Sequence, residues 1–140
     1  MSRELVREAQ EARVLPSASA TVMIRMDFPP SVNTAFPTRG QRRVPSEAYR
    51  AWRDAQGWSI KAQRVPMIRG PVNVRIDLVA PDRRRRDCDN YAKGPLDALV
   101  KAGVIEDDSN IRRLSIGWED EGPACLVTVT AIERTKEASL

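Results

Sequence analysis

The chain has 140 residues, and its 23 lysines and arginines against 19 aspartates and glutamates give a formal charge of +4. Hydrophobic residues make up 41% and charged residues 30%, which indicates one globular domain and excludes a disordered chain. Histidine is absent and there are only two cysteines, so His-ligated zinc, Ser-His or Cys-His nucleophile pairs and a disulfide framework are excluded. The positive charge favours a nucleic acid as partner. The charged N-terminus does not resemble a secretory signal, which predicts a cytoplasmic location.

The domain boundaries follow from changes in the hydrophobic pattern. Residues 1–19 are predicted to form an N-terminal extension, either a short helix or a frayed arm. The periodic segments then predict one domain over residues 20–134, followed by a C-terminal tail over residues 135–140.

The first predicted strand begins at Thr21, where apolar and polar side chains start to alternate. Its apolar face consists of Val22, Ile24, Met26 and Phe28. A structureless loop is expected from Pro29 to Pro45, which is long enough to suggest a functional role. Ser46 is a typical helix N-cap and predicts that a helix follows. The apolar side of this helix consists of Tyr49, Trp52 and Ile60.

A second strand is predicted over residues 72–78, where Val72, Val74, Ile76 and Leu78 alternate with polar residues. The next helix is expected from about Asn90 to Ala102, with Gly103 closing it in the left-handed conformation. Pro95 must either kink this helix or occupy an early position in a restarted one.

Two alternating segments, residues 114–118 and 125–129, predict a C-terminal hairpin joined by a turn at residues 120–123. The predicted order is therefore strand, helix, strand, helix and hairpin. This order predicts an α/β (α+β) fold, with a small mixed β-sheet and helices packed on one of its faces.

Charges of both signs follow the second strand, where the run Arg83–Arg86 leads directly into Asp87 and Asp89. Arginines neutralise DNA phosphates, whereas carboxylates are repelled by them unless a divalent cation lies between. In an extended segment Asp87 and Asp89 share one face, about 7 Å apart at the backbone. Asp108, after the following helix, is the third candidate ligand. The pattern predicts a metal-dependent nuclease; alternatively, these aspartates balance the arginines or cap the next helix.

Other candidate site residues surround this cluster. Lys93, four residues after Asp89, either orients the attacking water or stabilises charge on a phosphate, or it is a surface lysine paired with Asp89. The tryptophans Trp52, Trp58 and Trp118 either stack on bases or pack in the core or at a dimer interface. The candidate DNA contacts, which alternatively serve only to keep their loops soluble, are Arg39, Arg42, Arg43, Arg83, Arg84, Arg85 and Arg86.

These residues give the chain a resemblance to the RusA family of Holliday junction resolvases, small endodeoxyribonucleases often carried by phages and prophages. An upstream match lies at Pro29-Pro30-Ser31-Val32-Asn33, and the similarity covers roughly residues 20 to 134. The central match consists of Pro81-Asp82-Arg83-Arg84-Arg85-Arg86-Asp87-Cys88-Asp89-Asn90, Lys93, Leu96-Asp97-Ala98-Leu99, Lys101-Ala102-Gly103 and Asp107-Asp108.

The resemblance implies a homodimer that binds four-way DNA junctions and nicks two strands symmetrically in recombination and repair, with Mg²⁺ or alternatively Mn²⁺. It puts the family's metal-binding aspartates on Asp87, Asp89 and Asp108 and its catalytic lysine on Lys93. Arg86 matches a position implicated in handling junction DNA. The chain departs from the family at Gly94-Pro95, where better helix formers are usual, and in its N-terminal extension.

Two other functions fit the same residues. The first is a non-catalytic protein that binds junctions or replication forks, in which the acidic residues are structural. The second is a nuclease that acts on forks, flaps or packaging intermediates. A transcription factor is disfavoured because the sequence has no helix-turn-helix spacing and no zinc ligands.

Overall fold

The computed structural model describes residues 20–132. The predictions for residues 1–19 and 135–140 therefore lie outside the described part of the chain. Within that part, no helix combines the length and the apolar character needed to cross a membrane. Two 3₁₀ helices span Cys88–Tyr91 and Asp108–Asn110. The other elements are β1 Thr21–Met26, α1 Val32–Ala35, β2 Thr38–Arg39, β3 Arg42–Arg43, α2 Glu47–Ala62, β4 Val72–Leu78, α3 Lys93–Lys101, β5 Ile111–Trp118 and β6 Cys125–Ala131.

The main sheet has four strands in the order β1-β6-β4-β5. Strands β4 and β5 are parallel, whereas β6 is antiparallel to both β1 and β4, so the predicted mixed sheet is confirmed. Alternate residues of β1, β4 and β6 are buried, as the period-two pattern requires. These inward residues form one core with Ile60 of α2 and with Ala98 and Leu99 of α3, so both helices cover the same face of the sheet.

The predicted C-terminal hairpin is wrong. Strand β5 pairs in parallel with β4, where Ile116 lies opposite Ile76, and β6 lies between β1 and β4. The burial of the two strands explains the difference. The inward residues Cys125, Val127 and Val129 of β6 are 0% exposed, as in a central strand, whereas most of β5 is exposed, as in an edge strand.

The segment from Pro29 to Pro45 is not the structureless loop that we expected. It contains α1, whose N-cap Ser31 accepts a hydrogen bond from the Asn33 amide at 3.3 Å. It also contains a short ribbon in which Arg39 pairs with Arg42. Only two residues lie in each ribbon strand, too few to show a hydrophobic period in the sequence.

Helix α2 begins where Ser46 predicts it, because the Ser46 hydroxyl accepts a hydrogen bond from the Tyr49 amide at 3.0 Å. Helix α3 begins later than expected, at Lys93, after the first 3₁₀ helix. Pro95 is thus the third residue of α3, where a helix can accept a missing N–H, so it does not kink the helix. Gly103 has φ 75°, which confirms its predicted role in closing the helix.

Candidate metal and nucleic-acid site

Asp87 and Asp89 lie together at the first 3₁₀ helix. Asp87 immediately precedes this helix in extended conformation, and Asp89 lies within it. Both are exposed. Cys88 between them points towards β5, where its thiol is 3.8 Å from the Ile116 carbonyl oxygen. Their carboxylates have no hydrogen-bond or ion-pair partner among residues 20–132, so these two hard oxygen donors suit a divalent cation.

Asp108 begins the second 3₁₀ helix, directly before β5. It lines a shallow cavity of about 310 Å³ between α2, α3 and this turn. Its neighbour Asp107 accepts hydrogen bonds from the Ser109 amide, at 3.1 Å, and from the Ser109 hydroxyl. These bonds lower the pKa of Asp107 and commit its carboxylate to the turn. The cavity is lined by Arg53, Asp97, Val100, Lys101, Asp107 and Asp108.

The structure does not gather the three predicted ligands around one point. The first 3₁₀ helix lies beside Ile116, whereas Asp108 lies just before Ile111, at the other end of β5. Five residues of strand span about 16 Å. Among the 113 positions from 20 to 132, no three His, Cys, Asp or Glu side chains are arranged to hold a metal ion. A metal site shared by all three aspartates therefore stays a prediction.

Lys93 is held by a carboxylate that the sequence analysis did not assign to the site. The Lys93 ammonium lies 2.8 Å from Asp97 Oδ1, so its partner is Asp97 rather than Asp89. The Tyr49 hydroxyl donates a hydrogen bond to the other Asp97 oxygen. Burial and Asp97 raise the pKa of Tyr49, which keeps this hydroxyl protonated. The spacing of four residues between Lys93 and Asp97 was the available signal for this pair.

The arginine run divides into structural and exposed residues. Arg86 is only 11% exposed, donates hydrogen bonds to Asp82 at 2.7 and 3.0 Å, and lies 5.7 Å from the centre of the Phe28 ring. Arg84 also donates to Asp82 through its backbone amide and its guanidinium, but remains 81% exposed. The Arg86 guanidinium in particular lowers the pKa of Asp82. Arg83 and Arg85 are exposed.

The arginines of the β2–β3 ribbon are all exposed, but they differ in their partners. The Arg43 guanidinium donates to the Phe36 carbonyl at 3.0 Å and to the Val32 carbonyl at 3.4 Å, which ties the ribbon to α1. Arg39 and Arg42 have no such hydrogen bond among residues 20–132. Their contact with a polyanion stays a prediction.

The three tryptophans occupy different environments. Trp118 belongs to an aromatic cluster with Phe28 and Tyr91, with ring centres 6.0 to 6.2 Å from its own. Trp52 is partly buried against the core and stacks on Tyr49 at 6.3 Å. Trp58 is 73% exposed. Packing accounts for Trp52 and for the buried part of Trp118, and Trp58, as the most exposed of the three, is the strongest base-stacking candidate.

Comparison with known proteins adds a second line of evidence. The sequence model of the family described as Endodeoxyribonuclease RusA matches residues 27–130. A crossover junction endodeoxyribonuclease of Enterobacteria phage 82 is 39% identical over 93 residues, which cover 65% of this chain and 77% of the relative. The protein of the same name from Escherichia coli K12 is 40% identical with the same coverage. That of Enterobacteria phage HK97 is 29% identical over 111 residues, 77% of this chain and 92% of the relative. The matched segment contains every candidate carboxylate, Lys93 and all the candidate arginines.

Proposed function

The chain belongs to the RusA family of endodeoxyribonucleases, and from this premise we propose that it is a divalent-metal-dependent endonuclease that resolves four-way DNA junctions. In this proposal it acts with Mg²⁺, cuts two strands symmetrically as a homodimer, and serves DNA recombination and repair. One observation carries the proposal: two exposed carboxylates, Asp87 and Asp89, lie in a single turn that directly follows a run of four arginines.

The proposed ligands are Asp87, Asp89 and Asp108. Magnesium sites commonly use one or two carboxylates together with phosphate oxygens of the substrate, so the first 3₁₀ helix provides enough protein donors to begin a site that DNA completes. The bound ion would polarise the scissile phosphate and lower the pKa of a water molecule. Asp108 requires a second copy, or a shift of its turn, to reach the same ion.

Lys93 and the arginines hold the phosphates in this proposal. The Lys93 side chain is 48% exposed, so its ammonium is accessible to DNA although Asp97 orients it. The exposed residues Arg39, Arg42, Arg83 and Arg85 neutralise phosphates of the junction arms, joined by the exposed part of Arg84. Arg43 and Arg86 instead hold their loops in place through the contacts described above.

The test is cleavage of a synthetic four-way junction by purified protein with Mg²⁺. Asp87→Asn and Asp89→Asn should abolish cleavage while metal-free junction binding survives, because each removes one metal-binding charge and little volume. Asp120→Asn, an equivalent change in the exposed loop between β5 and β6, is the matched control. Undiminished nicking by Asp87→Asn would remove that residue from the proposed mechanism.

The same assay tests the alternative of a non-catalytic junction or fork binding protein. This alternative predicts binding that is indifferent to Mg²⁺ and no nicked product at any metal concentration. Comparing junctions, forks, flaps and duplexes at equal salt separates junction resolution from cleavage of other branched DNA.

A further inference from the structure

Trp58 is the most exposed large apolar side chain within residues 20–132. It lines a shallow cavity of about 260 Å³ formed by α2 and α3. The Lys61 ammonium lies 5.1 Å from the centre of its ring, and Lys101 of α3 borders the same cavity. Asp54 is the one acidic residue of this lining. An exposed indole in a cavity that is also lined by two lysines is suited to bind an aromatic anion.

Gly57, next to Trp58, supports this interpretation. Glycine inside a helix costs roughly 1 kcal/mol relative to alanine. A Cβ at Gly57 would meet no atom within 4 Å, and its φ is not positive, so neither packing nor the backbone requires glycine here. Gly57 lines the cavity, where the absent side chain leaves room beside the indole.

The cavity also adjoins the candidate catalytic region. Lys101 borders both this cavity and the one that contains Asp97, Asp107 and Asp108. The two cavities therefore lie next to each other, with Lys101 in the lining of both. Lys101 thus connects the surroundings of Asp108 with those of Trp58.

We propose that Trp58 is a base-stacking platform: an unpaired base at a DNA branch point stacks on its indole while Lys61 and Lys101 bind the flanking phosphates. Aromatic stacking accepts any base and lysines accept any phosphate, so this chemistry recognises an unstacked strand rather than a sequence. The inference rests on the proposed function for the choice of branched DNA as ligand. A second copy is a poorer occupant, because protein interfaces are depleted of lysine, and burying this tryptophan would also bury Lys61 and Lys101.

The experiment measures binding without metal ions, so it does not depend on catalysis. The probe is a four-way junction with one unpaired 2-aminopurine at its crossover, and the comparison is a perfect duplex of equal length. Trp58→Ala should weaken junction binding about tenfold, remove the fluorescence change of the probe and leave duplex binding nearly unchanged. Trp58→Phe should retain most of the affinity because it keeps an aromatic face.

Two further variants sharpen the test. Met23→Ala is the matched control, because Met23 is 61% exposed on β1 and its side chain lies on the sheet face away from the helices. It should bind as the wild type does. Lys101→Ala should reduce the slope of log affinity against log salt by about one, since it removes one phosphate contact.

Two outcomes would overturn the proposal. One is wild-type affinity and an unchanged 2-aminopurine signal in Trp58→Ala, with circular dichroism showing that the variant is folded. The other is a fall in sedimenting mass of Trp58→Ala in the absence of DNA, which would assign the indole to a second copy. If Asp87→Asn still nicks DNA, the proposed metal site fails, but this binding test is unaffected.

Discussion

Asp97 connects the buried side of α2 with the candidate active site, because its two oxygens bind Lys93 and the Tyr49 hydroxyl. Tyr49 is 1% exposed, so it anchors the carboxylate firmly, and the carboxylate in turn directs the lysine. Asp97 is thus a positioning residue whose charge restricts the directions in which the Lys93 ammonium can point.

Asp97→Asn should therefore slow cleavage by about ten- to a hundredfold while metal-free junction binding stays the same, because small errors in placement cost rate rather than affinity. Single-turnover cleavage of a junction measures the effect. Tyr49→Phe keeps the Lys93 ion pair and should lose less activity than Asp97→Asn. Equal rates for Asp97→Asn and the wild type would show that Lys93 needs no such support.

Cys125, the buried first residue of β6, predicts a specific loss of stability at high pH. Burial raises the pKa of its thiol to about 12 from an ordinary value near 9. The folded state thus holds a proton that the unfolded state releases, so this stabilisation is present below about pH 9 and is lost as pH rises towards 12. The free energy of unfolding should fall by about 1.4 kcal/mol per pH unit from this group.

Urea unfolding between pH 8 and 11 checks this prediction. Cys125→Ala is less stable overall, but its free energy of unfolding should decline less steeply with pH than that of the wild type. Tyr49 contributes in the same direction to both proteins and cancels in the comparison. Cys88→Ala, which alters a partly exposed thiol, is the control. Parallel pH profiles for Cys125→Ala and the wild type would contradict the prediction.

Among the elements, the packing of α2 on α3 depends on glycine at one position and not at another. A Cβ at Gly94, in the first turn of α3, would lie 3.1 Å from the Trp52 ring and 3.4 Å from Pro29. A Cβ at Gly57 in α2 would meet nothing within 4 Å. Gly94 therefore allows the start of α3 to approach α2 closely, which sets the position of Lys93.

Replacing each of these two glycines with alanine should consequently change the free energy of unfolding in different ways. Gly57→Ala should raise the free energy of unfolding by about 0.5 to 1 kcal/mol through helix propensity. Gly94→Ala should be clearly less stable than Gly57→Ala, because its methyl group pushes against an indole that Tyr49 and the core hold. Chemical denaturation of both variants gives the comparison. If the free energy of unfolding rose as much for Gly94→Ala as for Gly57→Ala, the Trp52 ring would have to move aside freely.

For the whole molecule, we propose the β5 edge of the sheet as the surface that contacts a second copy. Strand β5 has a neighbour on only one side among the described residues, and it exposes Leu114 by 44% and Trp118 by 38%. An edge strand that is unpaired on one side and exposes apolar side chains is a ready template for pairing with another chain. In the proposed homodimer, this pairing also offers a route by which Asp108 of one copy approaches Asp87 and Asp89 of the other.

Leu114→Lys should therefore lower the sedimenting mass of the protein to that of a single chain, because it introduces a charge into the proposed interface. On a four-way junction, paired nicks should be replaced by slow single nicks. Met23→Lys, an equivalent change on β1 at the other edge, should leave mass and cleavage unchanged. A Leu114→Lys variant of unaltered mass that still makes paired nicks would exclude β5 as the interface.

The sequence by itself determined the features that depend on neighbouring residues. The start of the first strand at Thr21, the strand Val72–Leu78, the cap at Ser46 and the left-handed Gly103 all follow from local period or local backbone chemistry. The first strand ends at Met26, before the Phe28 that its predicted apolar face included. The motif around Asp87 and Asp89 could also be recognised from the sequence, because its charged residues are close together in the chain.

Only the tertiary structure decided the pairing of β5 with β4, the partners of Lys93 and Arg86, and the exposure of Trp58. Each of these depends on which surfaces meet after the chain has folded. The hydrophobic period shows that a strand has a buried face, but not which strand lies beside it. A charged or aromatic residue likewise takes its role from neighbours that are distant in sequence, as when β1 and β4 together determine that β6 lies in the centre of the sheet.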